Sequence, residues 1–130
     1  MSVPAVARSR RCVLVVEDEY LIAMDLKRWL QEAGYEVLGP VPSAEQALDL
    51  IEHRQPDAAV LDINLVYGDD SCPVADMLGL LSVPYLFATG DVKPADTSVY
   101  RHRPRLEKPV LEAQLVRGLA DLFVATQHLP

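Results

Sequence analysis

The stretch Cys12-Val13-Leu14-Val15-Val16-Glu17-Asp18-Glu19 decides how the chain reads. Its five apolar residues are too few for a helix and do not alternate with polar ones, the pattern of a strand covered on both faces in a parallel sheet. Three acids follow at once. Working outward, residues 37–41, 58–61, 85–88 and, most weakly, 105–107 read as four further short strands.

Amphipathic stretches separate them. Residues 19–33 place Ile22, Leu26, Trp29, Leu30 and Ala33 on one helical face. Glu19 falls in the first turn, where the helix dipole favours an acid, and Gly34 supplies the stop. Ser43 followed by Gln46 is a capping-box pattern opening a second helix with Ala44, Ala47, Leu48 and Ile51 as its buried stripe. Pro73 suits a first turn and predicts a third helix that turns Val74, Met77, Leu78 and Leu81 inward. Residues 111–123 predict the last helix, with Leu115, Leu119, Leu122 and Phe123 as its core face. Met24, Trp29 and Met77 read as packing residues rather than a cofactor box. Between 91 and 104 the pattern fails at Pro94 and Pro104, leaving at best a short helix near 95–100.

Strands alternating with helices through right-handed connections predict an α/β fold, a doubly wound sheet of about five parallel strands. One domain is expected over residues 12–126, after a basic extension, 1–11, with Arg8, Arg10 and Arg11, and before a tail, 127–130. Beyond Pro109 there is room for one helix and that tail, not for an effector domain. With 12 Lys+Arg against 19 Asp+Glu the net charge is −7, which argues against nucleic acid or an anionic membrane as main partner. No apolar run approaches the ~20 residues that cross a bilayer, and no secretory signal pattern opens the chain, so a cytoplasmic protein is expected. Cys12 and Cys72 then read as buried or half-buried thiols rather than a disulfide.

The chemistry sits where strands end. Glu17 and Asp18 follow the first run, Asp62 the third, Thr89 the fourth and Lys108 the fifth. In an open parallel sheet the carboxyl ends of the strands share one edge, so these five side chains should meet in one crevice. Like charges 4 Å apart repel by about 4 kcal/mol at an effective dielectric of 20, so gathered carboxylates call for a cation. Hard oxygen ligands suit Mg²⁺. A carboxylate so placed can attack a phosphoryl group, with Lys108 and the Thr89 hydroxyl supporting its oxygens.

In the segments Val-Leu-Val-Val-Glu17-Asp18-Glu19, Val-Leu-Asp62-Ile-Asn64-Leu, Phe-Ala-Thr89-Gly90 and Glu107-Lys108-Pro109, the chain resembles a response-regulator receiver domain. The resemblance implies a flavodoxin-like sheet of order 2-1-3-4-5, Asp62 as phosphoacceptor, and Glu17, Asp18, Asp62 and the Asn64 main-chain carbonyl as ligands of Mg²⁺. It further implies Thr89 and Lys108 as groups acting on the phosphoryl oxygens, with Lys108-Pro109 usually cis. The expected partners are a sensor histidine kinase or phosphotransfer protein and an unknown downstream protein, the chain being a monomer or weak dimer. Asn64-Leu65, Pro73-Val74-Ala75 and Phe87-Ala88-Thr89-Gly90 also resemble the FAT GUY group of mostly single-domain receivers. Asp91 and Val92 stand where that group has a variable residue and Tyr, and Arg105 stands where many receivers carry a switch aromatic. Residues 91–105 are therefore the surface expected to change on phosphorylation, by ordering rather than by ring rotation.

Blander readings stand beside these. Asp62 alone would pass for a turn residue or helix cap, and Asp69 and Asp70 read as turn residues. His53, His102 and His128 lack ligand spacing and read as surface residues, as do Arg101, Arg103 and Arg105, which could also dock a partner. A Mg²⁺-dependent aspartyl-phosphate phosphohydrolase would want a second Asp where Asn64 stands, and a substrate cap. A phosphorylation-independent binding module would not need the full acidic set with Lys108. The expected role is thus a stand-alone response regulator that catalyses only its own phosphorylation and dephosphorylation.

Overall fold

The computed structural model describes residues 10–62, 72–89 and 104–127, without the side chains of Cys72, Thr89, Thr126 and Gln127. Asn64, Asp69, Asp70, the segment 91–103, His128 and Arg8 lie outside the described residues, as do the expectations placed on them. Among the described residues nine elements follow one another: β1 Cys12–Val16, α1 Tyr20–Glu32, β2 Glu36–Val41, α2 Ala44–His53, β3 Ala58–Asp62, α3 Cys72–Leu80, β4 Tyr85–Thr89, β5 Arg105–Glu107 and α4 Glu112–Gln127. All four strand pairings are parallel and the order is β2-β1-β3-β4-β5, the flavodoxin-like order the resemblance implied.

Every residue of β1 and β3 is buried, which is why these runs carry no polar alternation. Alternate positions feed two separate cores. Leu14, Val16, Ala59, Leu61 and Phe87 face α2 and α3, where Ala47, Ile51, Val74 and Leu78 meet them. Val13, Val15, Val60, Leu86 and Ala88 face α1 and α4, against Leu26, Leu30, Leu115, Leu119 and Phe123.

Helix ends largely follow the sequence signals. The Gln46 amide donates to Ser43 Oγ at 3.2 Å and the Ser43 hydroxyl donates to Gln46 Oε1 at 3.2 Å, so the capping pair forms. Gly34 takes φ +97° after α1, a conformation that only glycine adopts without strain. Three expectations need correction. Met77 is 38% exposed and Ala75 is buried instead, because α3 is apolar nearly all round and spacing alone cannot choose its inner face. Ala33 is exposed, since the chain leaves the helix there for Gly34. Glu19 is the N-cap of α1 rather than a first-turn residue, and its side chain makes no cap hydrogen bond.

Strand β2 begins one residue earlier than expected and holds an irregularity the sequence reading did not mark. Leu14 and Val16 of β1 stand opposite Leu38 and Val41, so β2 inserts an extra residue at Gly39-Pro40. A proline is tolerated there because β2 is an edge strand. Gly39 has φ +93°, and a Cβ on it would lie 2.9 Å from Val41 N and 3.0 Å from Val15 O, both backbone. Gly39→Ala is therefore expected to cost about 2–4 kcal/mol, from left-handed strain plus overpacking. Urea melts would register this; a loss below about 0.5 kcal/mol would mean the bulge relaxes freely.

Candidate functional site

Strand register builds the crevice. Val16 is level with Leu61, so the next residues, Glu17 and Asp62, are neighbours. Asp62 is level with Ala88, and Thr89, the next residue, is level with Glu107, which directly precedes Lys108. Four chain segments far apart in sequence thus end side by side. The Lys108-Pro109 bond is cis, as the resemblance implied.

Glu17 and Asp62 are buried, at 2% and 4% exposure, and are the buried charged residues among those described. Together with the half-buried Asp18 they bring one carboxylate oxygen each to within 4.8 Å of one another. Lys108 enters from just after the edge strand β5: its Nζ donates to Glu17 Oε2 at 3.1 Å and lies 3.0 Å from Oε1 and 3.4 Å from Asp62 Oδ2. The ammonium hydrogen bond is aligned on Oε2, so the buried Oε1 has a charge nearby but no hydrogen-bond donor.

Electrostatics follow from that geometry. Burial pushes Asp62 up to about 7, helped by the neighbouring Glu17 charge and opposed by Lys108. For Lys108, burial works against the charge, but Glu17, Asp62 and Glu19 outweigh it and raise its pKa. One ammonium among several carboxylates leaves the cluster short of positive charge.

The donor set therefore fits a hard divalent cation. Carboxylate oxygens are what Mg²⁺ accepts, one or two suffice alongside water, and Glu17 Oε1 is a buried acceptor still lacking a donor.

Sequence reasoning assigned Glu17, Asp18, Asp62 and Lys108 to one crevice, and the structure brings these four together. Strand β4 carries Thr89 to the same edge. Glu19 was missed as a member. Its amide donates to Glu17 Oε2 at 3.2 Å and its Oε1 lies 3.6 Å from Lys108 Nζ. Its adjacency to Glu17-Asp18 was the available signal. His53 is exposed on α2, with Nδ1 2.8 Å from the Asp49 carbonyl oxygen, which raises its pKa. Cys12 is a buried free thiol whose pKa is raised by burial.

Comparison with known proteins matches residues 13–70 to the family model "Response regulator receiver domain". The sensory/regulatory protein RpfC of Xanthomonas campestris pv. campestris is 35% identical over 94% of this chain, and the chain spans 18% of the length of RpfC. Among solved structures, SdrG from Sphingomonas melonis Fr1 superposes with a TM-score of 0.77 at 38% identity, covering 88% of this chain and 97% of SdrG. The REC domain of the PhyR response regulator from Erythrobacter litoralis gives a TM-score of 0.82 at 28% identity, over 95% of this chain and 97% of that domain. Shared sequence along nearly all of SdrG, the 2-1-3-4-5 sheet and the acidic crevice at its carboxyl edge agree: the chain belongs to the response-regulator receiver domain family.

Proposed function

We propose that the chain is a response regulator that accepts a phosphoryl group on Asp62 from a phosphohistidine of a sensor histidine kinase or phosphotransfer protein. The observation that carries this reading is the placement of Asp62, buried at the end of β3, between Lys108 at 3.4 Å and the Glu17–Asp18 pair. Glu17, Asp18, Asp62 and the Asn64 main-chain carbonyl are the groups that would hold Mg²⁺, which when bound supplies positive charge to the carboxylates and the phosphoryl oxygens.

Asp62 acts as nucleophile in its ionised form. One carboxylate oxygen forms a bond to phosphorus while the P–N bond of the donor breaks, and the leaving imidazole nitrogen keeps the electron pair and takes up a proton. Lys108, already held beside Asp62 by Glu17 and Glu19, offers its ammonium to a phosphoryl oxygen. Thr89 offers a hydroxyl from the adjoining strand end. Loss of the group is a hydrolysis: a water oxygen bonds to phosphorus while the P–O bond to Asp62 breaks, Asp62 leaves with the electron pair as a carboxylate, and inorganic phosphate departs as water's proton passes to it or to solvent. The protein turns over no other substrate and passes its signal on through protein contacts in the cytoplasm.

With acetyl phosphate as donor, uptake should require millimolar Mg²⁺ and fall by about 100-fold in the Glu17→Gln, Asp18→Asn double variant. Equal uptake with and without metal would overturn the metal-dependent reading.

A further inference from the structure

On the face away from α1 and α4, helices α2 and α3 leave a groove of about 750 Å³ between them. Leu48 and Ile51 of α2, Met77 of α3 and Leu81 in the turn just after α3 form an apolar floor. Met77 is 38% exposed, and Leu80 beside it is 81% exposed. One wall is acidic. Glu45, Asp49 and Glu52 follow one another at i, i+4 and i+7, a single stripe along α2.

Within α2 and α3 that charge is offset only by His53, one ring nitrogen of which lies within 4.8 Å of a carboxylate oxygen of Asp49 and of Glu52. Neither α2 nor α3 contains a Lys or Arg. Among the described residues, the three carboxylates make no ion pair. An apolar strip beside a net acidic row costs solubility little, yet it offers both halves of a recognition surface.

We propose that this groove docks a basic amphipathic helix of a partner protein. The partner's apolar face lies on Met77 and Leu81, and its lysines or arginines run along Glu45, Asp49 and Glu52. The acidic stripe advances by about 6 Å and then about 4.5 Å along the helix axis, at 1.5 Å per residue. Basic residues at i, i+4 and i+7 of a helix laid alongside match those steps, and two side-by-side helices present the groove that a third helix fills. A second copy docked symmetrically would set one acidic stripe against the other, and nucleic acid would meet the same repulsion. The groove shares no residue with the Glu17, Asp62 and Lys108 crevice, so the proposal stands apart from the phosphoryl chemistry.

The test uses the full ¹⁵N-labelled chain and a short amidated Leu/Lys peptide, with leucines at i, i+3, i+4 and i+7, titrated by heteronuclear NMR. Shifts should concentrate on α2 and α3, with Kd in the range of about 10–100 μM, weakening as salt rises. Met77→Glu should weaken binding about tenfold or more. The Glu45→Gln, Asp49→Asn, Glu52→Gln variant should also lose about tenfold, along with most of the salt dependence. All three of its substitutions are on exposed side chains, so it serves even if Met77→Glu misfolds. A Leu/Glu peptide of the same pattern should not bind. Shifts centred on Glu17, Asp18 and Asp62, or variants that bind as the parent does, would overturn the proposal.

Discussion

Lys108→Met should lower the stability of the metal-free protein by about 3–5 kcal/mol at pH 8, the range for stripping a buried charge of its partner. The lysine is the cation that contacts both Glu17 and Asp62, whose side chains are 1% and 5% exposed. Methionine keeps much of the aliphatic stem, so the loss reports the charge rather than a cavity. The Lys108 pKa is raised on folding, so its contribution is present throughout the neutral range and disappears only as pH climbs above the ordinary lysine value of 10.5. At pH 5 the loss should shrink, because Asp62, shifted up to about 7, then carries a proton and needs no counter-charge. Urea unfolding at both pH values measures this. A pH-independent loss below about 1 kcal/mol would show that the Lys108 pairs contribute little.

Asp62→Asn should have the opposite sign. Burial and the Glu17 charge raise the Asp62 pKa from 3.8 to about 7, so folding favours its protonated form. The stability linked to that protonation is complete below about pH 4 and is lost as pH rises through about 7. The metal-free parent should therefore weaken across that window, whereas Asp62→Asn, neutral throughout, should not show the decline. At pH 8 the variant should be more stable by on the order of 1–3 kcal/mol. Melting in chelator from pH 4 to pH 8 compares the two. Parallel pH profiles would mean that Asp62 does not titrate in this window.

The sheet was legible because its physics is written locally. β1 and β3 are covered on both faces, so their sequences show unbroken apolar runs, and each run ends in the charged residue that the register then places at the edge. Parallel pairing does the rest. Once the strands are parallel, residues as far apart as Glu17 and Lys108 share one edge, which made the crevice readable without any contact information. What escaped the sequence depended on three-dimensional context. In α3, Cys-Pro-Val-Ala-Asp-Met-Leu-Gly-Leu offers apolar residues on every side, so only packing against β3 and β4 selects Ala75 over Met77. Glu19 was assigned to the helix dipole, whereas Lys108 reaches it from the opposite end of the chain. The Gly39-Pro40 bulge lay inside a stretch read as ordinary strand, because an extra residue shows only against the partner register.

The central claim, that Asp62 is the phosphoacceptor, is tested most directly by intact mass after incubation with acetyl phosphate and Mg²⁺, followed by peptide mapping. The parent should gain a single phosphoryl group located on the peptide that contains Asp62, and Asp62→Asn should gain none. An undiminished adduct on Asp62→Asn, or a parent adduct mapped to another residue, would contradict the account.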